Sequence, residues 1–308
     1  MLRAFFVHLS ENRSLRNFAE RSSIGQRVSN RFVAGTEIAD AVRVTQAVNK
    51  AGMSVSIDNL GENVTNPDEA RHSAQLYQQI LDAIAANQLN ANISLKLTHM
   101  GLDVDEALAR QIVSGLVARA AAMNPPGFVR VDMEGSPYTQ RTLDFVHELH
   151  RMPGHSNSVG TVIQAYLKRS EADVDKLLSE GIRIRLCKGA YKEPASIAFE
   201  SKADVDANFI KLMKTLMKSG IYHGIASHDE HIILAGKDFA TKEKISRDSF
   251  EFQMLYGIRR DLQQNLVRDG WRVRVYVPFG TEWYPYFMRR LGERPANVFF
   301  IARNMLRK

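Results

Sequence analysis

Eight short runs rich in β-branched residues, each followed by a stretch of helical period, recur from about residue 53 to the end of the chain. They are 53–58, 92–97, 128–133, 160–166, 183–188, 223–227, 250–255 and 272–278. Alternation of this kind reads as successive βα units with parallel strands. No proline- or glycine-rich linker interrupts the series, which favours a closed barrel over a doubly wound sheet. The expected fold class is α/β, a (β/α)8 TIM-type barrel with additional N-terminal helices. Leu15, Phe18 and Ala19, then Phe32, Ala41, Val42 and Val44, form the apolar positions of those helices. The expected division is a helical extension over 1–50 and a barrel over 51–308.

The helices carry their own punctuation. Asn66-Pro67 offers a cap and a first-turn proline before the stripe Tyr77, Ile80, Leu81, Ile84. Ser170 with Asp173 resembles a capping box, and Gly181 suits the left-handed residue that ends that helix. Phe209, Leu212, Met213, Leu216 and Met217 form another stripe, stopped by Gly220, and read as core.

Composition narrows the function classes. With 44% apolar and 24% charged residues, a chain of 308 residues can bury a large core. The single cysteine, Cys187, forbids an intrachain disulfide and any multi-thiolate metal site, and suits a reducing compartment. No run approaches the roughly 18 apolar residues of a membrane span, and 4–7 is too short for a signal-peptide core. The expected location is therefore cytoplasmic. Forty-one basic against 34 acidic residues give a net charge of +7. The basic residues are spread over nearly every segment, as on solvated helix faces, without the clustering of a nucleic-acid surface. An anionic cofactor, an anionic substrate or an acidic membrane surface remains compatible with them.

In a (β/α)8 barrel the active groups lie at the C-terminal strand ends. That filter selects Lys96, Asp132 with Glu134, Gln164, Arg185 with Lys188, Ser227 with His228, and Tyr276. Lys96 stands inside Ile93-Ser94-Leu95-Lys96-Leu97, where it either snorkels to the rim, pairs with a carboxylate or serves a ligand. In the run 183–191, alternation puts Arg183, Arg185 and Cys187 on one strand face, and Gly189-Ala190 lets a ligand approach the backbone. Cations beside small residues suit phosphate oxygens or an electron-rich ring. Arg289 and Arg290 point about 100° apart on a helix, and either grip one carboxylate or face solvent.

Other signatures are missing. No G-x-G-x-x-G follows a strand, and there is no P-loop or nucleophile elbow. His228-Asp229-Glu230-His231 has metal-compatible spacing on a helix, which would suit a metal-dependent hydrolase, but no zincin signature surrounds it. No metal is expected.

Taken in order, these runs resemble the proline dehydrogenase family. The most specific are Arg185-Leu186-Cys187-Lys188-Gly189-Ala190-Tyr191 and Tyr276-x-Pro278-x-Gly280 followed by Tyr286-x-x-Arg289-Arg290-x-x-Glu293. Asp58-x-Leu60-Gly61-Glu62, Leu95-Lys96-Leu97, Val131-Asp132-Met133-Glu134, Gln164-Ala165-Tyr166, Ala226-Ser227-His228 and 251–255 support them. The resemblance implies non-covalent FAD at the C-terminal face of the barrel. It implies oxidation of L-proline to Δ1-pyrroline-5-carboxylate, by hydride transfer from proline C5 to flavin N5. This is the first step of proline catabolism.

It further implies that Lys96, Arg289 and Arg290 bind the substrate carboxylate, and that Arg185 sits near flavin N5. Met133, Gln164, Lys188, Gly189, Ala190, Ser227 and His228 would contact the cofactor. Asp132, Arg185 and Tyr276 would form the catalytic array, and Glu62 would pair with Arg289 to close the pocket. Electrons would pass to a membrane quinone, with peripheral contact at the inner face of the cell membrane. No region for the aldehyde dehydrogenase that some relatives carry is expected, and no nucleic acid partner. Two positions depart from the pattern: Arg294 follows Glu293 where many members have Asn, and Cys187 stands where an aliphatic residue is common. Cys187 is expected to behave as a small hydrophobe rather than a nucleophile.

Overall fold

The computed structural model describes residues 31–293, with side chains as far as Met288. Eight strands run in chain order around a closed, all-parallel barrel whose first and last strands pair. They are β1 Ser54–Asn59, β2 Ala91–Leu95, β3 Val129–Val131, β4 Val159–Gln164, β5 Arg183–Cys187, β6 His223–Ala226, β7 Phe250–Leu255 and β8 Val273–Phe279. The helices are α1 Ile38–Lys50, before β1, then α2 Pro67–Ala86, α3 Glu106–Ala121, α4 Ser136–Arg151, α5 Ser170–Ser179, α6 Lys202–Lys218, α7 Glu230–Lys242, α8 Arg260–Arg268 and α9 Trp283–Glu293.

Alternation along the strands sorts the side chains. Ile57, Ile93, Leu95, Val131, Ile184, Leu186, Phe252 and Val275 belong to one continuous apolar core with helix residues such as Tyr77, Val113, Phe209 and Leu212. Many of the intervening positions point into the lumen and are polar, as the bonds that cross it show: Ser56 Oγ donates to Asn92 Oδ1 at 2.5 Å, and Arg274 Nε to Glu251 Oε1 at 2.6 Å. A polar group buried in that lumen requires a partner. The lumen is therefore a fixed hydrogen-bond network.

Two helices depart from a plain βα repeat. Ala41 and Val44 of α1 are buried in the main core, and α1 packs on β1, β8 and α2, so the helix before β1 covers the β8–β1 seam. The helix after β8 does not take that place. Trp283, Tyr284, Tyr286, Phe287 and Met288 of α9 join Phe32, Val33 and Leu60 in a separate cluster, with Ile258 against it. Leu60 and Ile258 follow the C-terminal ends of β1 and β7, so α9 rests on the loops of the mouth.

Local expectations fare unevenly. Asn66 caps α2, accepting from Glu69 N, with Pro67 in the first turn. Gly181 and Gly220 take φ of +77° after α5 and α6. The capping box at Ser170 does not form: the residue before α5 is Arg169, and the buried Ser170 hydroxyl bonds to the carbonyls of Gln164 (2.7 Å) and Leu167 (2.6 Å). Asp173 instead takes the Arg169 guanidinium at 2.7 Å. β3 is three residues long against the six expected, because the chain turns into the mouth once Asp132 N has bonded to Leu95 O.

Candidate active site

β5 carries Arg185 into the centre of the barrel, where strands from around the ring aim acceptors at it. Nη1 donates to Asp132 Oδ1 at 2.8 Å and to Ser94 Oγ at 3.1 Å. Nη2 donates to Ser56 Oγ at 3.1 Å, and Nε to Gln253 Oε1 at 2.6 Å. The arrangement continues downward, for Gln253 Nε2 donates to Glu251 Oε1 at 2.6 Å and Glu251 pairs with Arg274. A planar guanidinium so held has one orientation.

Asp132 is the junction. It accepts from Arg185 and from Ser94 Oγ (2.7 Å) on Oδ1, and from the Tyr276 hydroxyl (2.9 Å) on Oδ2. Burial, reinforced by Asp132 and Asp58, holds the Tyr276 phenol far above its usual range, so it stays a donor. The Tyr276 ring also lies 5.1 Å from the Arg185 guanidinium carbon, within cation–π range.

Lys96 follows β2, with its Nζ 3.7 Å from Asp58 Oδ2. Burial opposes its charge, but Asp58, Glu62 and Asp132 outweigh that and hold the ammonium above its ordinary range. Asp58 is 1% exposed, and burial raises its carboxyl to about 6 despite the pull of Lys96. Thus Lys96 is both paired with a carboxylate and presented to a cavity.

That cavity, of about 580 Å³, opens at the C-terminal face and is lined by Lys96, Asp132, Arg185 and Tyr276. Met133, Gln164, Lys188, Gly189, Ala190, Ser227 and His228 line it as well. Gly189 adopts φ of +116°, and a Cβ there would fall 2.2 Å from the Tyr166 ring. The loop after β5 is thereby pressed down so that its backbone faces the cavity. Several expected groups already have partners: Lys188 is paired with Asp206 and, at 2.8 Å, with Asp229, and His228 Nε2 accepts from Leu255 N at 2.9 Å. Cys187 also lines the cavity, and burial pushes its thiol up to about 12.

Other selected residues lie elsewhere. Arg183 shares a face with Arg185 but sits at the start of β5, stacked on Phe128 (4.3 Å) and Tyr222 (4.9 Å), far from the mouth. Glu134 spends its carboxylate on Thr98, accepting from N (3.2 Å) and Oγ1 (2.7 Å). Asp229 caps α7, so His228 lies before the helix and His231, exposed, within it. Among the described residues no three His, Cys, Asp or Glu are arranged to hold a metal ion. Arg289 and Arg290 lie on α9, but their side chains, and hence the Glu62–Arg289 pair, fall outside the described residues, as do the Glu293 side chain and Arg294.

Several participants escape the strand-end filter as applied. Asp58 ends the apolar run Val55-Ser56-Ile57-Asp58 and has the same signal as Lys96. Ser56, Ser94 and Gln253 alternate with apolar neighbours, a pattern that looks like any half-buried strand. Tyr77, read as core, in fact donates its hydroxyl to Ser94 O at 2.8 Å and to Asp58 Oδ1 at 3.3 Å.

The model of a protein family described as proline dehydrogenase matches residues 41–303. The chain belongs to the proline dehydrogenase family. It is 41% identical to proline dehydrogenase 1 of Bacillus subtilis (strain 168) over 309 residues, covering all of both chains. It is 40% identical to the proline dehydrogenase of Deinococcus radiodurans, with 91% of this chain and 90% of that one aligned. The bifunctional protein PutA of Escherichia coli (strain K12) is 28% identical over 88% of this chain and 24% of its own length. A crystal structure of proline utilization A from Bdellovibrio bacteriovorus, inactivated by N-propargylglycine, superposes with a TM-score of 0.80 at 26% identity, over 87% of this chain and 32% of that one. Proline dehydrogenase family membership thus accords with the eight-stranded barrel and its loaded C-terminal mouth.

Proposed function

We propose that the protein oxidises L-proline to Δ1-pyrroline-5-carboxylate with non-covalently held FAD, and that a quinone takes the electrons. The observation that carries this reading is the convergence of Lys96, Asp132, Arg185 and Tyr276 on one cavity at the mouth of the barrel. A flavin fits the cavity by size and by chemistry. Its volume lies in the range of small-molecule and cofactor sites, and along its wall lie the depressed Gly189 backbone and the Ser227 hydroxyl, which accepts from Asp229 N and keeps its own proton to donate. The cofactor, when bound, supplies the hydride acceptor.

The chain's own residues divide the remaining work. Lys96, with Arg289 and Arg290, holds the proline carboxylate and so fixes the ring's face and depth. Arg185 presents a positive group whose orientation Asp132, Ser56, Ser94 and Gln253 set, and it stabilises negative charge that develops on a ring beside it. Tyr276 packs at the edge of the same space and keeps Asp132 directed at Arg185. A secondary ammonium brought among Lys96 and Arg185 loses its proton more readily than in water, because both burial and like charge disfavour it. Glu62 paired with Arg289 closes the pocket over the substrate. The proposed organisation is residues 51–308 as the catalytic barrel and 1–50 as an extension, with membrane contact peripheral. No described helix is long and apolar enough to cross a membrane.

The test is spectroscopic. Purified protein should be yellow, and its visible flavin band should bleach anaerobically on addition of L-proline. A colourless preparation that cannot be reconstituted with FAD, or a band indifferent to proline, would overturn the reading.

A further inference from the structure

A second cavity, of about 720 Å³, lies on the far side of Lys96 between the β1–α2 loop, the first turns of α2 and the start of α9. Among the described residues, Lys96 alone lines both cavities. The outer wall carries Glu62, Asp68 and Glu282, and the inner wall carries His99. His99 is 7% exposed and makes no hydrogen bond to a described residue. It owes its place to Gly61, where a Cβ would fall 2.2 Å from the imidazole Nε2. Burial first, then the charges of Lys96 and His72, hold its pKa down to about 4, so at neutral pH the ring is uncharged and carries one acceptor nitrogen.

An acidic wall alone would attract any cation. Here a cation, Lys96, closes the inner end, and the opposite signs at the two ends suit a small molecule that carries both. We propose that this cavity is the entry subsite for zwitterionic proline: the His99 imidazole and the Asp68 carboxylate receive its ammonium, and Lys96 receives its carboxylate and passes the molecule to the first cavity. The inference rests on the reading of the protein as a proline-oxidising enzyme. It assigns His99 a positioning role on the way in, separate from the residues that hold proline beside the cofactor.

A transient subsite on the path lowers the barrier in both directions and leaves the final equilibrium alone. The experiment therefore uses the flavin-loaded enzyme and follows, in anaerobic stopped flow, the fast perturbation of the flavin band on binding and the slower bleaching. In His99→Leu the association and dissociation rate constants for proline should both fall about tenfold, the scale of one hydrogen bond to a charged group. The dissociation constant and the bleaching rate should be unchanged, and His99→Gln should restore most of the loss. Tetrahydrofuran-2-carboxylate, which keeps the carboxylate and lacks the ammonium, should bind His99→Leu as fast as wild type. Asp68→Asn, on the exposed outer wall, gives a second reading if His99→Leu does not fold, and should slow proline about two- to threefold. Unchanged association in these variants, equal slowing of the oxygen analogue, or a changed dissociation constant at constant association rate would each overturn the subsite. Wild-type enzyme that binds proline but does not bleach would overturn the oxidation reading instead, and with it this one.

Discussion

Arg185 and Asp132 lie 2.8 Å apart at the bottom of the mouth, both nearly buried, and each has its remaining valences taken by groups from other strands. Removing one partner of a buried pair leaves the other uncompensated. Asp132→Asn should lower turnover by about a hundredfold, because an amide must turn a donor toward either Arg185 or Tyr276. Tyr276→Phe, which deletes one bond to Asp132, should cost about tenfold. Turnover with proline in the flavin-loaded variants measures both, and an Asp132→Asn enzyme within a few-fold of wild type would count against the array.

Lys96 and Asp58 are coupled in the same way. Lys96→Met should raise the Michaelis constant for proline by about a hundredfold while lowering stability by about 3 kcal/mol. The double variant Lys96→Met with Asp58→Asn should recover part of the stability and none of the affinity. Urea denaturation in a double-mutant cycle reads the first, and steady-state kinetics the second.

If Arg289 and Arg290 hold the substrate carboxylate as proposed, Arg289→Met or Arg290→Met should weaken proline binding by about a hundredfold and leave flavin retention intact, since one of two guanidinium forks is lost. Proline titration and the flavin-to-protein ratio measure the two effects. Equal loss of both would refute the carboxylate assignment.

Gly189→Ala should fail at the loop after β5. The positive φ and the Tyr166 ring together oppose a methyl group, at a cost of about 1–3 kcal/mol, and the loop should lift from the cavity wall. The expected outcome is protein that folds with normal far-ultraviolet circular dichroism but is isolated with little flavin.

Acid should destabilise the fold through two buried imidazoles. Burial, with Arg130 and Arg183 nearby, lowers His223 to about 3, and His99 lies at about 4. Below the ordinary histidine pKa the unfolded chain binds protons that the folded chain refuses, so stability falls as pH drops. The slope is about 1.4 kcal/mol per pH unit for each group until its folded pKa is reached. Asp58 works in the opposite sense between its ordinary value and about 6, where the folded state holds the extra proton. Denaturation midpoints between pH 7 and 4 should therefore fall, and the imidazole resonances of His99 and His223 should not titrate above pH 5.

How much of this was legible in the sequence follows from what periodicity can and cannot carry. The eight strands are found within a few residues of their true ends, because a strand facing helices on its outer side must show an apolar alternation. The same alternation hides the lumen, since Ser56, Ser94 and Gln253 look like residues that face water. Lys96 is visible because a lone cation in an apolar run is costly. Its partner Asp58 ends the first run and carries the same signal, but an acidic residue that closes a strand also reads as the start of a solvated loop. Spacing also mistook Ser170 for a cap: a hydroxyl follows whichever carbonyl is nearest, and that depends on how β4 leaves the barrel. His99 gives no signal at all, for only the fold presses Gly61 against it.

The seam helix α1 has a further consequence. A ring sealed by a segment that precedes β1 is complete before the last helix is made, so α9 serves as a fitting rather than a stave. Its apolar residues anchor it to the mouth loops, so its seat is set by those loops and not by the ring of staves.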